Sequence, residues 1–159
     1  MDWKFTSEKD LANTFNNTID PFWEEQVSRG HFAGKGDVDV HYAWCLPDTP
    51  RSTIVISSGR IESYLKYKEL VFDLYQNGFA VFILDHRGQG LSGRMTHDPQ
   101  HGYVAHFDDY VDDLVYFTQN IVVPKQQGRL QLLCHSMGGA IGALTLLRLS
   151  LIHISEPTR

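Results

Sequence analysis

Three short apolar runs constrain what this chain can fold into more than any other feature. They are "STIVISSG" (52–59), "FAVFILD" (79–85) and "RLQLLC" (129–134). The first two are nearly continuous in Val, Ile, Phe and Leu, the signature of strands buried on both faces of a parallel sheet. Helical patterns separate them. Residues 63–77 place Leu70, Val71 and Leu74 on one face with Tyr67, and Gly78 stands where a C-cap glycine belongs. Residues 108–122 open with aspartates suited to a helix N-terminus and carry Val111, Leu114, Val115 and Ile121 on one stripe; 137–148 reads as the last helix.

Ahead of the runs, 31–46 reads as a hairpin around Gly36 and Asp37, with Val38, Val40, Tyr42 and Trp44 alternating. Residues 7–28 read as one or two short helices broken at Asp20 and Pro21. A hairpin followed by strands alternating with helices predicts an α/β fold, a mostly parallel sheet with helices on both faces. No repeat, low-complexity tract or linker divides the chain, and 159 residues suffice for one core.

In such sheets ligands bind beyond the carboxyl ends of the strands. Three of those ends carry unusual residues: Ser57-Ser58-Gly59-Arg60, Asp85-His86-Arg87-Gly88 and Cys134-His135-Ser136-Met137-Gly138. A strand turning sharply into a helix holds a serine in the open, backed by free N–H groups that favour the negative charge of acyl transfer. The flanking residues must be small, because the two backbones nearly collide. Gly138 and Gly139 satisfy this on the helix side; Cys134 stands where G-x-S-x-G has its first glycine. The pentapeptide alone admits two readings of Ser136, a nucleophile or a helix N-cap beside packing glycines. An oxyanion hole needs a second N–H from the loop after an earlier strand, which makes the N–H groups of Arg60 and Met137 its candidate donors. The alternative is an ordinary glycine turn with a solvated Arg60.

Other patterns carry less. "GQGLSG" (88–93) matches G-x-G-x-x-G, but no helix opens at these glycines, so a tight structural loop is expected; Asp113, at the distance of a ribose ligand, falls inside a helix. His97, His101 and His106, with Asp98, Asp108 and Asp109, lack ligand spacing and read as solvated side chains. No metal or cofactor is expected. His135 should point away from Ser136, and Cys134, at the end of a buried strand, reads as inert packing. A formal charge of −5 excludes a nucleic-acid footprint. Neither a signal-peptide core nor an apolar run of spanning length is present, and the two cysteines are isolated, which points to the cytoplasm. Peripheral contact at the inner membrane is left open.

At "SGRIESYLKYKELVFDLYQNGFAVFILDHRGQGLSGR" (58–94), "FDDYVDDL" (107–114) and "HSMGGAIGAL" (135–144) the chain resembles the α/β-hydrolases of the monoacylglycerol lipase and lysophospholipase group, bacterial lysophospholipases above all. The resemblance runs from Trp3 to Arg148 and covers the N-terminal half of that fold. It implies a serine ester hydrolase in which Ser136 forms an acyl-enzyme and the N–H groups of Arg60 and Met137 hold the oxyanion. Asp85–Gly90 would then form a structural loop beside the site. The implied substrate is a lysophospholipid or a monoacylglycerol. Two departures stand out: Ser58-Gly59 where related lipases often have His-Gly, and Cys134 in the elbow.

In this fold the triad acid and histidine follow the serine. The remaining residues leave no room for them or for a substrate-covering cap, so the chain as given is expected to be inactive, with its last strand an exposed sheet edge. Residues 149–159, "LSLIHISEPTR", leave the helix pattern and back-translate to a sequencing-transposon end joined to a read adapter, which implies that encoded sequence stops near Arg148. The rival from another class is a non-catalytic half-domain that binds a partner through its open edge. A third reading is a serine hydrolase of other small esters or amides.

Overall fold

In a computed structural model, residues 2–154 are described. A helical run opens the chain: a 3-10 turn at Glu8–Asp10, α1 at Leu11–Thr14, a π-helical turn at Phe15–Ile19 and α2 at Asp20–Gln26. The break expected at Asp20-Pro21 does not occur. Proline has no N–H to give, and it sits in the first turn of α2, where that loss is harmless. The wide turn before it keeps the chain helical.

The hairpin follows as β1, Ser28–Gly34, and β2, Val38–Cys45, turning through Gly36 and Asp37 at positive φ (76° and 57°). Then come β3, Ser52–Ser57; a 3-10 turn at Tyr64–Tyr67 leading into α3, Lys68–Gln76; and β4, Phe79–Leu84. Gly78, at φ 84°, ends α3 as expected. A long loop leads to α4, Phe107–Phe117, which winds on through a π-helical turn at Thr118–Val122; β5, Leu130–Cys134, and α5, Met137–Ile154, complete the order.

The sheet order is β1-β2-β4-β3-β5. β1 and β2 pair antiparallel, as do β2 and β4, whereas β4, β3 and β5 run parallel. The chain enters this parallel part at β3, adds β4 on one side, then crosses over to add β5 on the other. That reversal places the crevice of the sheet at the carboxyl end of β3.

Alternate residues of the central strands face two cores. Val55, Phe82 and Leu84 join Val111, Leu114, Phe117 and Ile141 on the α4–α5 side. Ile54, Ile56, Val81 and Ile83 join Phe22, Trp23 and Val71 on the α2–α3 side. This two-sided burial is why those strands read as unbroken apolar runs.

Two expectations are corrected. Leu70 is exposed and lies not in the core but along a groove of about 410 Å³ with Tyr67, Leu133 and Cys134, beside the β5 edge. The helix expected to end at Arg148 continues to Ile154, so residues 149–154 keep the helical conformation they were expected to abandon. An unbroken run of Leu, Ser, Ile and His contains neither Gly nor Pro to stop it. Residues 155–159 of that tail lie outside the described residues. Among the described residues β5 pairs on one side only, with β3, and Leu133 stands 41% exposed on this edge. Among the described residues, no helix is long and apolar enough to cross a membrane.

Candidate active site

Ser136 occupies the corner between β5 and α5, exposed, with φ of 52°. A non-glycine residue at positive φ costs on the order of 1–3 kcal/mol and persists only where its surroundings impose it. Here the constraint comes from β3. His135 N–H donates to Ser57 O at 3.0 Å, and a Cβ on Gly138 would collide with the carbonyl oxygens of Ser57 and Ser58. Gly138 is therefore the close-packing position expected. Gly139 is not: a Cβ there meets nothing within 4 Å.

Gly142 takes that role one turn later, an assignment the pentapeptide did not contain. A Cβ on it would lie 2.5 Å from Cys134 Sγ and 2.9 Å from Leu132 Cδ2. The larger residue at the first elbow position is thus accommodated by a missing side chain facing it across the turn. Burial pushes the Cys134 thiol up, which keeps it protonated and matches its reading as packing.

The turn after β3 is held from several sides. Glu62, buried, takes the Gly59 N–H at 2.7 Å, the Tyr67 hydroxyl at 2.5 Å and Lys66 Nζ at 2.6 Å, with His135 Nδ1 at 3.3 Å. Burial pushes its carboxyl up, but hydrogen bonds from Lys66, Tyr67, Gly59 and His135 outweigh it and hold the group at about 2. A Cβ on Gly59 would press on this carboxylate at 2.9 Å. Gln89 braces the other side: its Nε2 donates to Gly59 O and Glu62 O, and its Oε1 accepts the Ile61 N–H at 3.0 Å. Ile61 is itself at φ 59°, an outlier for a β-branched residue. Among the described residues, the N–H groups of Arg60 and Met137 have no hydrogen-bond partner.

Residues 85–93 form the tight loop expected. Gly88 N–H reaches Gly93 O at 2.9 Å, and Asp85 accepts the N–H groups of Tyr64 and Leu91 at 2.6 and 2.7 Å. Gly90 carries no Cβ because one would run into the Asp85 carboxylate. Arg87 forms a buried two-pronged pair with Asp113 on α4, at 2.7 and 2.8 Å, with Asp109 and the Lys35 carbonyl beside it. Asp113, then, is a structural anion.

His86 is fully buried, with Nε2 3.0 Å from Ser57 Oγ and its ring edge-on to Tyr110. Burial pulls its pKa down to about 4, so it is neutral near pH 7. Its Nδ1 and the Ser58 hydroxyl are buried without partners among the described residues.

A cleft of about 580 Å³ opens beside the elbow, lined by Arg60, His101, Tyr103, Phe107, Tyr110 and Met137. The two expected oxyanion residues thus border one space. His97 and His106 do not line it; His101 does, with Nε2 3.5 Å from Asp98. No described side chain hydrogen-bonds the Ser136 hydroxyl. His135 is turned to Glu62 instead.

A family model described as "Serine aminopeptidase, S33" matches residues 48–151. Lysophospholipase L2 of Escherichia coli strain K12 is 44% identical over 147 residues, covering 92% of this chain and 43% of that protein. Monoacylglycerol lipase of Mycolicibacterium smegmatis is 30% identical over 120 residues, covering 72% and 39%. Among solved structures, potato epoxide hydrolase I superposes with a TM-score of 0.60 at 22% identity, over 77% of this chain and 36% of that one, a likeness of fold alone. The chain spans less than half the length of the curated relatives it matches.

Proposed function

The chain belongs to the serine aminopeptidase S33 family of α/β-hydrolases, in the group of lysophospholipases and monoacylglycerol lipases, and on that premise we propose that Ser136 is the nucleophile of a serine ester hydrolase. One observation carries the reading. An exposed serine at positive φ directly precedes Met137, and Met137 and Arg60, whose N–H groups have no hydrogen-bond partner among the described residues, line one cleft beside it.

The chemistry follows from that placement. Ser136 Oγ attacks the ester carbonyl carbon while a base takes its proton. The carbonyl oxygen gains the negative charge and is held by the N–H groups of Arg60 and Met137. Collapse expels the glycerol-bearing alcohol, which leaves with the proton, and water then releases the fatty acid from Ser136. The substrate class, lysophospholipid or monoacylglycerol, rests on the names of the relatives. No described histidine faces Ser136, and in this fold acid and histidine follow the serine. Both are therefore assigned to the part of the relatives' length that lies outside the match.

A fluorophosphonate probe tests the reading. Full-length protein should label covalently, with labelling abolished in Ser136→Ala; residues 1–159 alone, where no described histidine hydrogen-bonds Ser136, should label far more slowly. Folded full-length protein that does not react would favour the rival, a binding module with β5 as its open edge.

A further inference from the structure

The cleft beside the elbow is bordered by a cation that no described carboxylate answers. Arg29, Arg87 and Arg148 are each engaged by carboxylates. Arg60 has neither an ion pair nor a hydrogen bond among the described residues, and no Asp or Glu lines the cleft it borders. Around it stand the rings of Tyr103, Phe107 and Tyr110. Its guanidinium lies close enough to Tyr110 to oppose, in part, the upward push of burial on that phenol.

Resting on the proposed ester hydrolysis, we infer that the Arg60 side chain binds the phosphate of a lysophospholipid whose ester lies at Ser136, and so selects a phosphate-bearing substrate over a neutral monoacylglycerol. The dimensions agree. From backbone N–H to guanidinium carbon, and from ester carbonyl carbon through glycerol to phosphorus, the two paths have the same number of bonds, each on the order of 7 Å extended. One residue can thus hold the oxyanion with its N–H and the phosphate with its side chain. A guanidinium matches phosphate oxygens in charge and in fork geometry. The hydroxyl that a monoacylglycerol presents at the same place offers no charge. The aromatic rim supplies apolar area for the glycerol and the first carbons of the acyl chain.

The test compares lysophosphatidylglycerol with the monoacylglycerol of the same acyl chain, using full-length protein with Arg60 kept or changed to Gln or Lys. Arg60→Gln should lower the ratio of the two kcat/KM values, phosphate ester over neutral ester, roughly tenfold or more, as expected for one charge-assisted contact. Arg60→Lys should restore part of it. Because the readout is a ratio, any common effect of the substitution on the oxyanion turn cancels. A ratio unchanged within twofold in Arg60→Gln overturns the inference.

Equilibrium binding to Ser136→Ala protein decides the same question without turnover. Lysophosphatidylglycerol should bind more weakly once Arg60→Gln is added; equal binding overturns the inference. Glycerol 3-phosphate, without an acyl chain, should bind much more weakly than the lysolipid. Equal affinity would mark a soluble-phosphate site and also overturn it. Hydrolysis of neither ester would sink the proposed function alone, since the binding comparison still stands.

Discussion

The Glu62 carboxylate accepts the Gly59 N–H at 2.7 Å, which removes that donor from the turn after β3 and leaves the next one, on Arg60, without a partner among the described residues. The same carboxylate is tied to Tyr67, Lys66 and His135, so the turn is fixed by a buried charge and not by its own sequence alone.

Glu62→Gln keeps an acceptor for Gly59 but removes the charge that several donors share. In full-length enzyme the expected result is a fall in kcat of roughly tenfold to a hundredfold with KM little changed, the pattern of an interaction made chiefly in the transition state. Glu62→Ala, which leaves a buried N–H unsatisfied, should fall further and lose stability as well. A rise in KM alone would mean that the turn serves binding and not the oxyanion.

The elbow makes a prediction about a pair. Gly142→Ala places a methyl against Cys134 Sγ and Leu132, where overpacking costs typically about 1–3 kcal/mol. Cys134→Gly on its own leaves a gap. The double variant should recover much of the loss of Gly142→Ala, giving a favourable coupling of about 0.5–3 kcal/mol in a double-mutant cycle by denaturant unfolding. Additive losses would show that Leu132, not Cys134, is what excludes a side chain at Gly142.

Arg87 and Asp113 join two sequence motifs, "DHRGQG" and "FDDYVDDL", through a buried two-pronged pair. Gly34 completes it, since a Cβ there would sit 2.6 Å from Asp113 Oδ1 and 2.8 Å from Arg87 Nη2. Asp113→Asn removes the charge that Arg87 grips with two prongs, leaving it Asp109 at 3.8 Å and the Lys35 carbonyl, and should cost about 1–3 kcal/mol. The check is the urea midpoint: it should drop at constant slope, with β-sheet circular dichroism retained in the folded baseline.

Much of this is legible in the sequence alone. The strands announced themselves because burial on both faces demands unbroken apolar runs, and the elbow because a strand-to-helix collision demands glycine at Gly138. What stayed hidden was relational. Gly142 reads as one more small helical residue until Cys134 is seen opposite it. Glu62, Gln89 and Asp85 look like loop polarity, yet together they hold one turn through contacts 3 to 30 residues apart in sequence. Leu70 shows the converse: a helical face of apolar residues does not say which neighbour covers each of them.

On the acid side of the stability profile His86 and Glu62 act in separate pH windows, with Asp109 shifted in the same direction as Glu62 and the buried Asp85 and Asp113 shifted the other way. His86 is buried neutral, its pKa pulled from an ordinary 6.5 to about 4, so the unfolded chain takes up a proton that the folded one refuses. That makes the native state lose stability as pH falls from about 6.5 to about 4, by at most about 3 kcal/mol. Glu62 acts lower. Held at about 2 against an ordinary 4.5, its carboxylate contributes stability that is complete above 4.5 and is lost as pH falls towards 2. The contributions of these two groups to the unfolding free energy therefore decline in two stages on the acid side. His86→Asn, with a smaller polar side chain that does not titrate, should flatten the upper stage and leave the lower one. Glu62→Gln should do the reverse. If His86→Asn left the slope between pH 6.5 and 4 unchanged, the histidine would have to be protonated in the folded state, and its contact with Ser57 would then be donated by an imidazolium.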